Sequence, residues 1–148
     1  MKSRSQRLLP AVDKAHQDSE LALQQLGEQR SRLAAAEQQL AELHRYREEY
    51  ARDRHATGMP VHALLNRQQF IDRIDGAISQ QAREVARRQR MLDMAGNAWR
   101  VAHARERALG VVVERANEVE RLRDERREQN DADERVQYRS GQGRGRSA

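Results

Sequence analysis

The 148-residue chain has no cysteine, only two prolines and one phenylalanine, and an aromatic content of 3%. Without cysteine there is neither a disulfide framework nor a thiolate metal site. One Phe, one Trp and three Tyr cannot fill a thick globular core. No apolar run of the signal-peptide kind opens the chain, and no window approaches the roughly eighteen consecutive apolar residues of a membrane span. These absences predict a soluble cytoplasmic protein. Charge of one sign is also scarce, because charged residues make up 34% of the chain yet the net charge is only +5. The excess sits at the ends: Met1 to Arg7 carries three basic residues, and Gln137 to Ala148 carries Arg139, Arg144 and Arg146. The stretch between Leu8 and Val113 is nearly balanced, which leaves little charge for releasing counterions from a nucleic acid.

Motifs of catalysis are missing as well. No Gly-rich loop precedes a Lys-Ser/Thr pair, no G-x-S-x-G occurs, and Ser, His and Asp show no grouping that a helical fold brings together. The short connection would let His55 and His62 approach each other, but no third ligand accompanies them. The expectation is therefore no catalytic residue, no cofactor and no metal site, in a protein that is not an enzyme.

What the sequence does have is helical periodicity. Leu64, Ile71, Ile78, Val85, Leu92 and Trp99 recur every seven residues, with Ile74, Gln81, Arg88, Ala95, Ala102 and Leu109 in a parallel series. Such an a/d register marks a helix built to lie against another helix. A second set supplies the partner: Val12, Ser19, Leu26, Leu33, Leu40 and Arg47 form one series of sevens, and Ala15, Ala22, Gln29, Ala36, Leu43 and Tyr50 form the other. The side chains expected to fill the seam are Leu26, Leu33, Leu40, Ile71, Ile78, Val85, Leu92 and Trp99.

Between the two sets, Thr57, Gly58, Met59 and Pro60 break the period and the helix propensity. The prediction is all-α: two long helices in an antiparallel coiled-coil hairpin, with the second helix overhanging. The first helix spans about 6–53, starting between Ser5 and Pro10 because proline is tolerated in a first turn. The connection spans about 54–61 and the second helix about 62–136. Residues 1–139 make one rod, and 140–148 form a disordered Gly/Arg-rich tail. Residue i of the first helix sits opposite roughly residue 116 minus i of the second, which sets Trp99 beside Ala15 and Ser19 and Leu92 between Ala22 and Leu26. In that register the first helix, roughly 70 Å long by helix rise, gives out near Gly110. Val111 onward then projects without a partner, with Val111, Val112, Val113, Val119 and Leu122 forming an apolar strip that suggests a binding surface.

Four segments in order resemble the flagellar export protein FliJ family: Leu-His-Arg-Tyr-Arg-Glu-Glu-Tyr at 43–50; Asn66-Arg-Gln-Gln-Phe70-Ile followed by Ile74, Ala77, Ile78 and Gln80; Trp99-Arg100; and Glu-Gln-Asn-Asp-Ala-Asp-Glu at 128–134. The chain departs from the family pattern at Arg67, where an aromatic often follows the Asn, and at Gln81. The resemblance implies a cytoplasmic, non-enzymatic component of the bacterial flagellar type III export apparatus, peripheral at the inner membrane at the flagellar base and monomeric on its own. Its implied partners are the hexameric export ATPase, whose assembly and activity it promotes, the export gate and the export chaperones. For the gate contact it points to Phe70, Ile74 and Ala77. The ATPase contact is expected on the overhang, at Val112, Val119, Leu122, Arg123, Arg126 and Arg127, as in the stalk of a rotary ATPase. The alternative is a structural coiled-coil scaffold that pairs as a homodimer.

Overall fold

A computed structural model of the chain describes residues 2–52 and 58–144. They form two helices, α1 (Arg4–Arg52) and α2 (Val61–Arg144), paired in an all-α helical hairpin. Gly58 adopts φ 106°, in the left-handed region that favours a residue without Cβ. Two residues on, the Pro60 carbonyl accepts the N–H groups of Ala63 and Leu64 at 3.0 and 3.2 Å, which opens α2. The rest of the expected break, including His55 and Thr57, lies outside the described residues.

The pair divides into two compact units, one of residues 18–102 and one of residues 1–17 with 103–148. In the first, the core is the predicted seam: Leu26, Leu33, Ala36, Ile71 and Ile74 are all buried, and Leu40, Ile78, Val85, Leu92 and Trp99 are half-buried. No large side chain among the described residues is fully enclosed, since two helices leave both flanks of their interface open to water. Leu64 departs from the series at 49% exposure, because the first turn of α2 lies beyond the last residue of α1.

Some contacts keep the expected register to within one residue, Phe70 with Tyr46 and Gln81 with the Ala36 carbonyl, and others are shifted along α2. Leu26 Cδ1 lies 3.9 Å from where a Cβ on Gly96 would stand, and Arg47 pairs with Asp75. Leu26 with Gly96 and Arg47 with Asp75 sit about two turns further along α2 than matching Trp99 to Ala15 requires. Large still meets small, but the match is Leu26 against Gly96. In the other unit His16 meets Glu106, with the same offset.

The start of α1 is also earlier than expected. Ser3 is its N-cap: Ser3 Oγ accepts the Gln6 N–H at 3.2 Å, and Gln6 Oε1 accepts the Ser3 N–H at 3.2 Å. This reciprocal Ser-x-x-Gln box satisfies two donors that a helix start otherwise leaves unpaired. Pro10 therefore lies inside the helix and not in its first turn. At the other end, α2 continues through Ser140 to Arg144, into the stretch where the Gly/Arg-rich composition suggests a tail.

These two extensions move the point where α2 loses its partner. Ala116 is 8% exposed, and the Ser5 hydroxyl donates to Glu120 Oε1 and Oε2 at 3.3 and 3.2 Å. Val111–Val113 thus still lie beside α1, and the unpartnered part of α2 begins after Glu120. Gly110, inside the paired region, has nothing within 4 Å of an added Cβ. Gly110→Ala should therefore stabilise the chain by about 0.5–1 kcal/mol through helix propensity alone. Urea unfolding followed by circular dichroism measures this, and a loss of stability would show a close approach that the structure does not have.

Candidate functional site

Near the first turns of α2, Phe70 packs against Tyr50 with ring centroids 4.7 Å apart and against Tyr46 at 6.1 Å with planes at 71°. Tyr46 and Tyr50 stand one helical turn apart, which brings both rings to the same face of α1. Phe70 and Ala77 are half-buried, flanking the seam. Ile74 is only 6% exposed, so it packs inward and supports the stripe from beneath. Of the three residues expected at a gate contact, Phe70 and Ala77 present surface and Ile74 holds them in place.

Arg67 completes the cluster, and the sequence reading did not find it. It is 9% exposed, its Nη2 donates to the Tyr50 carbonyl, and its guanidinium lies 5.7 Å from the Tyr50 ring centroid. Tyr50 is among the last four residues of α1, whose carbonyls have no acceptor role left within the helix. A cation there both satisfies one of those oxygens and sits at the negative end of the helix dipole. The available signal was its position three residues after Leu64, on the second heptad series.

One turn further along, Arg47 Nε and Nη2 both reach the Asp75 carboxylate. That hydrogen bonding holds the Asp75 carboxyl below its ordinary range; burial opposes the shift and the Arg47 charge adds to it. A lowered carboxylate pKa favours the folded state above the unfolded value and loses that contribution as pH falls through the folded one. The melting-temperature gap between the wild type and Asp75→Asn should accordingly be widest near neutral pH and close as the pH falls toward about 2. A gap that stays constant across that titration would show that the pair contributes nothing.

In the terminal unit, Val112, Val119 and Leu122 are 37%, 48% and 46% exposed, and Arg123, Arg126 and Arg127 are exposed. Val112, Val119, Arg123 and Arg127 border a groove whose other wall is the start of α1. Leu122 and Arg126 do not line it. Arg121 bridges Glu118 at 2.5 Å and Glu125 at 3.3 Å along its own helix, and its hydrogen bond holds the Glu118 carboxyl below the ordinary range. Every residue from 121 to 142 is exposed. Among the described residues no three His, Cys, Asp or Glu side chains gather, and no helix is long and apolar enough to cross a membrane.

The sequence model of the flagellar FliJ protein family matches residues 4–145. The chain belongs to this family. The flagellar FliJ protein of Escherichia coli (strain K12) is 31% identical to it over 125 residues, covering 82% of this chain and 85% of that protein. Family membership makes the chain a component of the flagellar export apparatus. The matched span includes both the aromatic cluster at Phe70 and the exposed end of α2.

Proposed function

We propose that this FliJ-family chain is a non-catalytic coiled-coil stalk of the export apparatus. It docks with the hexameric export ATPase, promotes its assembly and activity, and links it to the export gate and the export chaperones. One observation carries this reading: α2 runs on from Glu120, its last residue hydrogen-bonded to α1, to Arg144. That single helix is about 36 Å long by its rise. An unpartnered helix of this length suits insertion into a ring better than it suits folding stability. Leu122 gives it an apolar contact, and Arg123, Arg126 and Arg127 give it cations for a pore wall. Exposed pairs are each worth about 0–1 kcal/mol, so such a fit remains reorientable.

The gate contact is assigned to the Phe70 and Ala77 stripe with Ile74 behind it. Phe70→Ala removes two ring contacts, each worth about 0.5–1.5 kcal/mol, and should weaken gate binding while leaving the helical content nearly unchanged. Equal loss of gate binding and of helicity would instead make the aromatic cluster a structural staple. For the ATPase, a chain ending at Glu120 retains every residue that α1 hydrogen-bonds. It should keep the hairpin and bind the gate, yet fail to stimulate ATP hydrolysis or hexamer assembly. Full stimulation by the shortened chain would sink the assignment of α2's end to the ATPase.

A further inference from the structure

Where α1 begins, its first turns and the facing stretch of α2 enclose an open groove of about 820 Å³. Six cations line it: Lys2 just before α1, Arg4 and Arg7 from α1, and Arg115, Arg123 and Arg127 from α2. The only carboxylates on the lining are Glu120 and Asp124, and Glu120 is engaged by the Ser5 hydroxyl and N–H. No ion pair with a carboxylate is formed by any of the six among the described residues, so the cluster of cations is compensated on the lining only by Asp124. The start of α1 adds the positive end of its dipole to the same wall.

We propose that this groove receives an acidic amphipathic helix of a partner protein. Three features select that occupant. Val112, Ala116 and Val119 recur at i, i+4 and i+7 along the floor, an apolar strip that accepts one helical face. The cations stand on both walls, so they meet acidic residues on both flanks of that helix. The lining runs from Val112 to Arg127, about 22 Å by helix rise, or some four turns of a partner. No aromatic side chain lines the groove, which removes the stacking platform that single-stranded nucleic acid uses. Its concave form also gives a flat anionic bilayer little to rest on. The proposal deepens the ATPase assignment, since four of the lining residues belong to that contact, and it rests on that reading only for the partner's identity.

The test uses the full chain and a fluorescein-labelled helical peptide of about 16 residues, with leucines on one face and glutamates on both flanks. Fluorescence anisotropy should show binding at least about tenfold tighter than that of a scrambled peptide of the same composition. The double variant Arg7→Glu/Arg123→Glu should weaken it by about tenfold or more, the sum of several exposed pairs turned repulsive. Arg87→Glu, on the other unit, should leave it unchanged, and circular dichroism should show equal helicity in all three proteins. Equal binding of the scrambled peptide or by the double variant overturns the proposal, as does tighter binding of an oligothymidylate or of phosphatidylglycerol vesicles. ATPase stimulation by the double variant is measured alongside. Weakened peptide capture with full stimulation supports the groove while removing the ATPase as its partner.

Discussion

Two helices have a single interface, so each can bury one narrow stripe and no more. Everything in this chain follows from how that stripe is filled. Small residues on α1, among them Ala15, Ser19, Ala22 and Ala36, are buried and let the helix axes approach, while Leu26, Leu33, Ile71 and Ile74 supply the apolar volume. Polar residues that fall on the stripe must find partners within reach, because burying an unpaired polar group costs about 1–3 kcal/mol. Gln81 reaches the Ala36 carbonyl at 3.1 Å and Gln39 at 3.2 Å, and Arg88 turns to Glu84 on its own helix at 2.9 Å. Gln29 Oε1 is buried without a partner. Such polar positions reduce stability, but they penalise slipped pairings and so help to fix the register.

The ends of α1 pose a different problem, because helix termini leave backbone groups unpaired and α2 supplies groups of opposite sign to each. Glu120 accepts the Ser5 N–H at 3.4 Å at the positive end, and Arg67 donates to the Tyr50 carbonyl at the negative end. Both choices match the macrodipole. The Ser3/Gln6 box adds two further backbone donors to the satisfied set. Together these contacts offset Pro10, whose missing N–H inside α1 costs a hydrogen bond.

The seam was legible from sequence because heptad spacing survives any choice of register: every α1 residue of the two series is buried or half-buried. The register was legible only in part. Matching Trp99 to the smallest residues is a size argument, and Leu26 facing Gly96 satisfies size equally well. Phe70 against Tyr46 keeps the expected register while Arg47 with Asp75 shifts from it, and periodicity alone weighs neither contact. The start of α1 was misread because Pro10 is the louder signal, whereas Ser3 and Gln6 three residues apart are a quieter one. The earlier start carries the pairing further along α2, so that Ala116 is buried while Val111 and Val112 on the flank stay exposed. Arg67 was visible only as a departure from a family pattern, because its role depends on a carbonyl that only the folded hairpin brings near.

Charge compensation separates the two units in kind. In residues 18–102 three arginines are matched by carboxylates: Arg47 with Asp75, and Arg87 and Arg88 with Glu84. Each of those pairs is partly exposed and individually weak. Around the start of α1 the balance is opposite, with six cations against one disengaged carboxylate, Asp124. Like charges gathered without counter-charges repel one another and lower the stability of the turns that carry them. A fold under selection for stability alone would have placed glutamates there, as it did at positions 118 and 125 around Arg121. The excess positive charge is therefore better explained by what approaches that end of the chain from outside than by anything it does within the hairpin.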